Sequence, residues 1–417
     1  MQDLVDSLNR TAKLALDDGR AASIEAAYSL FESFALNVQV GPGVAASPAL
    51  QAAFLTAVNA GARTFRGGIY VTGELDARLN IGWFAGQTVR EAAVSLGGKV
   101  SACKPGVPWL GVGVLPATSN EGFALGIACN RWQFVLSPDL AAQDCGGAHV
   151  LVGVAAAGAA LAEAFQYVYY GRAWAGRRHI EFDLLQAHLL PVLSPAPEFW
   201  VIGLGHVGQA LLWGLGLVYG HGGPRVILQD DDRVTESSLS TCLLVSPADV
   251  NKLKTDAVSH RLAELGWGTE QRNSYFTPAT RRGSDEPDFG VIAVDNVATR
   301  RCLDTCGFSR MVEGGIGHTA ADFMKMRMHN FPGPRMPSEI WAGVDPAATI
   351  MPSVAAPAYQ KLLAEDPETC GAVILAGRAV ATPFVGAFLG ALMATQIVAR
   401  TAGLAVTPVV DINLAAL

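Results

Sequence analysis

One glycine-rich stretch near the middle of the chain constrains the fold more than any other part of the sequence. Four apolar residues, 199–202, precede three glycines in the spacing GxGxxG, which are Gly203, Gly205 and Gly208. A long apolar segment follows, and a second short run at 225–229 ends in the carboxylates of residues 230–232. The order of strand, glycine turn, helix, strand and acid is typical of a nucleotide-binding βαβ unit.

The residue types in this unit have separate physical purposes. Gly203 permits a tight turn, Gly205 lets a ligand approach the backbone, and Gly208 lets the helix lie close to the strand. An acid that ends the second strand, such as Asp230 or Asp232, can accept hydrogen bonds from ribose hydroxyls. The pattern predicts a nucleotide but no particular reaction, and a glycine-rich turn in an unrelated α/β fold stays open.

Length and composition limit the kind of protein. The 417 residues are half apolar and only 16% charged, so we expect two compact domains, each with its own core. The net charge of −7 argues against nucleic acid as the main ligand. An odd number of cysteines, seven, and an acidic N-terminus without an apolar signal core predict a reducing, cytoplasmic location.

Two uncharged segments are long enough to raise the question of a membrane. Residues 379–399 carry no charge, but Pro383 and several glycines and polar residues dilute their hydrophobicity. We expect a buried core helix that begins near Pro383. The Ala- and Gly-rich run 150–162 is interpreted in the same way, so no membrane association is predicted.

The first half of the chain alternates between strand and helix patterns, as a Rossmann-like layered domain does. Predicted strands are 34–40, 68–72, 109–115, 123–127 and 132–136, and predicted helices are 1–30, 47–58, 87–96 and 150–170. The glycine turn at 41–43 contains Pro42 where a phosphate would need a backbone donor, so no nucleotide is expected here. A linker at 191–197 separates an α/β domain at 1–194 from a second at 195–417, which suggests a duplication.

The second half continues this alternation after its glycine unit. Helices are predicted at 251–265 and 300–306, and strands at 290–294, 311–313, 324–328 and 409–413. The proline-rich segment 331–368 is expected to be an irregular loop with a function. It ends just before Cys370, at the entry to the uncharged helix.

Five features of this half occur together in one known superfamily. They are GxGxxG at Gly203, Asp-x-Asp-x-Val from Asp230, Lys254 about two turns into the next helix, Asp295-Asn296 after a buried strand, and Cys370 before a Pro-x-x-Gly helix. In this order they resemble the ThiF/MoeB/ubiquitin-activating-enzyme superfamily over residues 195–415. With its companion domain, the chain is most similar to bacterial ThiF-family activating enzymes encoded beside a ubiquitin-like protein and a conjugating enzyme.

The resemblance implies an inactive adenylation-like first domain and an active second one. The enzyme would use ATP and Mg²⁺ to adenylate the C-terminus of a ubiquitin-like protein, form a thioester, and pass the product to a conjugating enzyme in antiviral defence. The resemblance assigns Asp230 to the ribose, Lys254 to the phosphates, Asp295 to Mg²⁺ and Cys370 to the thioester. The remaining assignments, all to the nucleotide, are Asp232, Ser238 and Asn296. A homodimer is left open.

These residue types suit the chemistry of adenylation. Negative charge accumulates on the phosphates as pyrophosphate leaves, so cations such as Lys254 stabilise the transition state. A hard cation prefers a carboxylate oxygen, which suits Asp295. A helix N-terminus lowers the pKa of a thiol, which suits Cys370 at its loop–helix junction.

Three departures from the superfamily pattern affect the site. The family has Ser-Asn-Leu-x-Arg-Gln after the acids, whereas this chain has Ser238, Thr241 and Cys242 in place of the asparagine, arginine and glutamine. A lost arginine weakens phosphate binding unless another enters from elsewhere, and Arg10 and Arg20 are the candidates. Paired Cys-x-x-Cys ligands are absent, so no structural zinc is predicted. Cys242, close to the nucleotide, could react, although a packed thiol is the simpler interpretation.

Other interpretations stay open. Asp295 could cap a helix, Lys254 could be a solvated lysine with Lys252 as an equal neighbour, and Cys370 could be a small buried residue. For the whole chain the rivals are a nicotinamide-dependent oxidoreductase, a scaffold that has lost adenylation, and an adenylating enzyme for a small molecule or peptide.

Overall fold

Two seven-stranded sheets, one in each half of the chain, form the frame of the molecule. The computed structural model describes residues 6–115, 122–139, 147–185, 197–317, 319–344, 354–365 and 370–417. The predicted fold class, two Rossmann-like α/β domains, is confirmed. The predicted boundary between residues 194 and 195 lies outside the described ranges.

The described part of the first half contains strands and helices close to the predicted ones. Its strands are β1 (Ala35–Val40), β2 (Gly68–Gly73), β3 (Lys99–Val100), β4 (Trp109–Val112), β5 (Ala124–Asn130), β6 (Gln133–Ser137) and β7 (Ile180–Asp183). Its helices are α1 (Lys13–Asp17), α2 (Ile24–Glu32), α3 (Pro48–Thr64), α4 (Val89–Ser95) and α5 (Val150–Tyr170). As predicted, α3 begins at a proline that follows a capping serine, because Ser47 Oγ accepts a hydrogen bond from the Leu50 N–H.

The second half repeats this arrangement in the residues described. Its strands are β8 (Phe199–Ile202), β9 (Val226–Gln229), β10 (Thr269–Arg272), β11 (Phe289–Ile292), β12 (Arg310–Ile316), β13 (Lys325–Phe331) and β14 (Val409–Asn413). Its helices are α6 (His206–Tyr219), α7 (Lys254–Ala263), α8 (Val297–Arg301), α9 (Pro337–Ile340), α10 (Pro357–Glu365), α11 (Cys370–Gly377) and α12 (Pro383–Thr401).

The two sheets have the same strand order. From edge to edge it is β3-β2-β1-β4-β5-β6-β7 in the first half and β10-β9-β8-β11-β12-β13-β14 in the second. In each sheet the first five strands of this order are parallel and the last two are antiparallel. The register also corresponds, because Val40 pairs with Gly73 where Ile202 pairs with Gln229. The repeated topology supports the predicted duplication.

Four long helices join the halves at the centre of the molecule. Helix α3 packs against α5, α5 against α12, and α12 against α6. Small residues allow these close approaches, since a Cβ on Gly153 would lie 1.8 Å from the carbonyl oxygen of Ala49. Helices α5 and α12 are long and apolar enough to cross a membrane, but 89% of the most apolar window of each is buried, so they are the predicted core helices.

Three predictions about elements are wrong. The predicted single helix at 1–30 is interrupted within the described residues, because the chain turns at Gly19 with φ +76° and α2 begins after its cap at Ser23. The segment 331–368 is not wholly irregular, since it contains α9 and α10. Lys254 is the first residue of α7 rather than two turns into it. Residues 345–353 and 366–369 lie outside the described ranges.

Candidate nucleotide site

The candidate site lies at the carboxyl end of the second sheet, where β8 and β11 are neighbours. The chain leaves β8 toward β9 on one side and later reaches β11 on the other. Loops diverge at such a switch point and leave a crevice in which ligands of open α/β sheets bind. The loops that follow β8, β9 and β11 carry three predicted site residues, Gly203, Asp230 and Asp295.

The three glycines of the first loop have different surroundings. Gly203 has φ +92°, and a Cβ there would lie 2.6 Å from the carbonyl oxygen of Ala293, so the turn requires glycine. A Cβ on Gly208 would lie 2.0 Å from the carbonyl oxygen of Gly203, so this glycine lets α6 rest against the turn. A Cβ on Gly205 would meet nothing within 4 Å. Open space at the start of α6, where N–H groups lack helical partners, suits an anion.

Asp230 is buried against the glycine loop. Its carboxylate accepts hydrogen bonds from the backbone N–H groups of Leu204 at 2.6 Å and Asp232 at 2.9 Å. Burial raises the pKa of Asp230, while the ammonium of Lys254, 3.7 Å away, opposes the rise. The structure therefore gives Asp230 a role in holding the loop, and its contact with a ribose stays a prediction.

Asp232 and Lys254 form an ion pair beside the loop. Nζ of Lys254 lies 2.5 Å from Oδ2 of Asp232, whose side chain is 61% exposed. Burial alone would lower the pKa of Lys254, but Asp230 and Asp232 outweigh it and the pKa is raised, so the ammonium stays charged at neutral pH. Lys252 instead pairs with Asp249 and is half exposed, so the structure distinguishes the two lysines.

An arginine from the first half of the chain reaches the same site. Nη1 of Arg10 donates to the carbonyl oxygen of Ala379 at 3.1 Å, and the Arg10 N–H donates to Ser240 Oγ at 3.1 Å. Burial and the charge of Arg378 lower the pKa of Arg10, while the carboxylate of Asp295 acts in the opposite direction. The guanidinium therefore lies near the loop after β11. Arg378 is a second cation here that the sequence did not indicate.

Arg20, the other candidate, lies elsewhere. Its guanidinium donates to the carbonyl oxygen of Tyr169 at 2.6 Å, stacks 4.7 Å from the centre of that ring and pairs with Asp18 at 3.4 Å. These contacts hold it against α5 in the first half, so the structure brings Arg10 and not Arg20 to the site.

Three further predicted residues have mixed positions. Asp295 is exposed directly after β11, and no hydrogen bond or ion pair joins it to another residue in the described part of the chain. Asn296, rather than Asp295, caps α8, since its Oδ1 accepts from the N–H groups of Ala298 and Thr299. Ser238 Oγ accepts from the N–H of Thr235 at 3.1 Å, which shapes the turn after β9. Nucleotide contacts of these residues stay predictions.

Sequence reasoning missed two residues that organise the loop. Gln209 Nε2 donates to the carbonyl oxygen of Leu204 at 2.9 Å, and its Oε1 accepts from the N–H of Leu244 at 3.1 Å. His206 Nε2 lies 2.8 Å from the carbonyl oxygen of Thr382, just before α12, and burial lowers the pKa of His206 to about 4. It is therefore neutral at pH 7. Both residues lie in the first turn of α6, a position from which side chains can reach back to the loop.

The cysteines differ in their surroundings. Cys370 is the first residue of α11, which is separate from the uncharged helix α12 whose entry it was expected to mark, and its side chain lies outside the described part of the structure. Cys242 is buried, and burial raises the pKa of its thiol, which makes it a poor nucleophile. Cys302 and Cys306 donate to the carbonyl oxygens three residues earlier, and burial raises the pKa of each.

The position in the first half that corresponds to the Asp232–Lys254 pair is occupied by Ala77 and Val89, which are uncharged. The N–H of Lys254 donates to the carbonyl oxygen of Asp232 at 3.0 Å, and the N–H of Val89 donates to that of Ala77 at 2.9 Å. The same backbone hydrogen bond thus joins two residues that form an ion pair in the second half and two residues with apolar side chains in the first half. The prediction that the first half binds no nucleotide stays a prediction.

In the described residues, two Rossmann-like halves and a glycine loop near which an acid, a lysine and an arginine lie define a two-domain α/β protein with a candidate nucleotide crevice. Family models agree with this division, because the BilD N-terminal domain matches residues 35–184 and the BilD C-terminal domain matches residues 195–404. The bacterial E1-like protein BilD of Collimonas sp. (strain OK412) is 34% identical over 415 residues, covering 95% of this chain and 89% of the relative. The chain belongs to the BilD family of bacterial E1-like proteins.

Solved structures give weaker likenesses. E. coli MccB with ATP is 13% identical with a TM-score of 0.33, covering 52% of this chain and 64% of MccB, so the chain spans less than two thirds of that protein. The E. coli tRNA N6-threonylcarbamoyladenosine dehydratase TcdA is 17% identical with a TM-score of 0.32, covering 49% of this chain and 85% of TcdA.

Proposed function

We propose that this protein is an ATP-dependent activating enzyme for the C-terminal carboxylate of a ubiquitin-like protein. The observation that carries the proposal is the Asp232–Lys254 ion pair beside the glycine loop, with Arg10 brought to the same crevice from the other half. Membership of a family of bacterial E1-like proteins supports ATP rather than a nicotinamide as the nucleotide.

The first step is adenylation. A carboxylate oxygen of the partner forms a bond to the α-phosphorus of ATP, and the bond between that phosphorus and the oxygen bridging to the β-phosphate breaks. Pyrophosphate leaves, and an acyl-adenylate remains. Negative charge grows on the phosphates, so Lys254 and Arg10 would stabilise the transition state. Asp232, the more exposed of the two acids beside Lys254, would accept hydrogen bonds from ribose hydroxyls.

Mg²⁺ fits the donor set at this edge of the sheet. Asp295 offers exposed carboxylate oxygens, the donor type that a hard cation prefers. Bound there, the ion would neutralise charge on the phosphates during adenylation. Asp295 would hold the ion, while Arg10, whose pKa responds to the Asp295 carboxylate, would lie beside it.

The second step is transfer to Cys370. Its thiolate would attack the acyl carbon, form a thioester and release AMP. The segment after Cys370 is tied to the site, because Ala379 accepts from Arg10, and the carbonyl oxygen of Ala381 accepts from Thr11 Oγ1 at 3.0 Å. Helix α11 itself is held by Lys13 Nζ, which donates to the carbonyl oxygen of Ala376 at 3.3 Å. These contacts support a cysteine helix docked near the nucleotide.

The direct test is ATP–pyrophosphate exchange with candidate ubiquitin-like proteins. We expect exchange that requires the partner's intact C-terminal tail, together with a thiol-sensitive covalent conjugate. A partner without its last residues is the matched control. Exchange supported equally by the truncated partner, or by a small carboxylic acid alone, would contradict activation of a protein tail.

Four further expectations stay predictions within this proposal. They are hand-over to a conjugating enzyme, a cytoplasmic location, a role in antiviral defence and a homodimeric state. Each depends on partners or a cellular setting that lie beyond this chain.

A further inference from the structure

We propose that a second cavity, at the junction of the two halves, binds a small oxyanion, either a phosphate ester or a carboxylate. The cavity has a volume of about 600 Å³, within the range of about 300–1,000 Å³ typical of small-molecule sites. The residues that line it come from the N-terminal segment, α2, the end of α3 and the segment after β9. Those used below are Tyr28, Arg63, Arg66, Glu236, Leu239 and Ser240.

Arg63 is the first reason for choosing an anion. Its guanidinium bonds only to neutral groups: Nε donates to Asn59 Oδ1 at 3.1 Å, Nη2 to the carbonyl oxygen of Val245 at 3.0 Å, and Nη1 to that of Leu239. These bonds use three of its five N–H donors, so two remain. No carboxylate pairs with it among the residues that the structure describes, and loss of hydration lowers its pKa to about 10.

Arg63 is partly buried, and a cation that has lost much of its hydration without gaining a counter-ion is costly, so proteins normally pair such a group. Arg63 is fixed by three neutral acceptors and lines an open volume, so the missing negative charge would come from a ligand in that volume. A planar guanidinium that keeps one N–H on each of Nη1 and Nη2 beyond these bonds suits the oxygens of a phosphate or a carboxylate.

Arg66 provides a second cation on the same wall. It lies three residues after Arg63, just beyond the end of α3 at Thr64, and its side chain is about one-third exposed. Its guanidinium stacks 4.8 Å from the centre of the Tyr28 ring and lies 3.6 Å from Glu32. The distance to Glu32 is long for an ion pair, so the guanidinium can turn toward the cavity at little cost. Glu236 is the opposing charge in the lining, and it is exposed to solvent.

The cavity is distinct from the nucleotide crevice. None of Gly205, Asp232, Lys254 or Asp295 lines it, whereas Glu236, Leu239 and Ser240 of the segment after β9 do. The link between them is Ser240, which lines the cavity and whose Oγ accepts from the N–H of Arg10. A ligand in the cavity therefore contacts the segment to which Arg10 is attached. The inference does not depend on the proposed function, because it uses residues outside that site.

The test is a thermal unfolding series on the full chain carrying Lys254→Ala, which weakens anion binding in the crevice. Inorganic phosphate and succinate are titrated separately, with sodium chloride at matched ionic strength. We expect at least one of the two to raise Tm saturably by about 2 °C, because a ligand that binds only the folded state stabilises it. A phosphate effect alone would identify phosphate esters as the ligand class, and a succinate effect alone would identify carboxylates.

Substitutions in the cavity decide whether the effect arises there. We expect Arg66→Gln and Arg63→Met to abolish the saturable shift, whereas Arg90→Gln, which removes an exposed arginine on α4 outside the cavity, keeps it. If Arg63→Met does not fold, the result for Arg66→Gln is sufficient to decide whether the shift arises in the cavity. An equal shift in Arg66→Gln, an equal shift with chloride, or no saturable shift with either anion would overturn the proposal.

Discussion

Replacement of Arg10 by glutamine tests the feature that joins the two halves into one site. Among the residues that the structure describes, the guanidinium makes one hydrogen bond, to the carbonyl oxygen of Ala379, and its pKa responds to the charge of Asp295. Loss of one hydrogen bond costs about 1 kcal/mol of stability, so the variant should fold. Loss of one preorganised donor to a transition-state charge costs about 3–4 kcal/mol, or about 100-fold to 1,000-fold in rate.

The assay is ATP–pyrophosphate exchange at saturating ubiquitin-like partner, alongside thermal unfolding. We expect Arg10→Gln to lose at least about 100-fold in exchange with little change in Tm, and Arg10→Lys to recover part of the rate because it keeps the charge. Arg20→Gln is the matched control and should exchange within about twofold of the parent, because Arg20 contacts only the first half. Equal exchange in Arg10→Gln and Arg20→Gln would refute the assignment.

Three further predictions concern the cysteine, the glycines and a buried histidine. Cys370→Ala should keep pyrophosphate exchange but lose the thiol-sensitive conjugate on a non-reducing gel. The control, Cys242→Ala, should keep both. A conjugate that still forms in Cys370→Ala would show that the sulfur of Cys370 takes no part in the mechanism. Gly205→Ala should change the free energy of unfolding by less than about 0.5 kcal/mol but weaken ATP binding measured by calorimetry. Gly208→Ala should lower the free energy of unfolding by about 3 kcal/mol or fail to fold. Equal stability of the two variants would contradict the loop geometry. Burial lowers the pKa of His149 to about 4. Its neutral form therefore stabilises the fold above pH 6.5, and about 3 kcal/mol of unfolding free energy is lost as the pH falls toward 4. In denaturant titrations at several pH values, His149→Gln should reduce this pH dependence, whereas His260→Gln, at an exposed histidine, should not.

The sequence predicted the frame of the fold because its signals are local. The glycine loop, the capping serine before α3 and the uncharged core helices each have a periodicity or a turn residue that a short window shows. The roles of the glycines could also be predicted from the local sequence. The positive φ of Gly203 and the close approach of Gly208 to the carbonyl oxygen of Gly203 both arise within one βα unit.

The rest of the site depends on contacts between distant residues. Arg10 and Arg20 were equal candidates on one predicted helix, and the turn at Gly19 sends them to opposite places. Lys254 was expected about two turns into a helix predicted at 251–265, but a bridge between Arg233 and Leu253 keeps the chain extended until Lys254. Such pairings are set by tertiary packing, which a window of sequence does not contain.

The central claim is that ATP with Mg²⁺ binds at the carboxyl edge of the second sheet, against Lys254. Isothermal titration of ATP–Mg²⁺ and of NAD into the parent chain, Lys254→Met and Lys252→Met tests it most directly. Loss of a charge-assisted contact is worth about 1.5–3 kcal/mol, so Lys254→Met should bind ATP–Mg²⁺ about tenfold to 100-fold more weakly. We predict one ATP per chain, unchanged affinity in Lys252→Met and no NAD binding. Tighter binding of NAD than of ATP, or unchanged ATP affinity in Lys254→Met, would contradict the account.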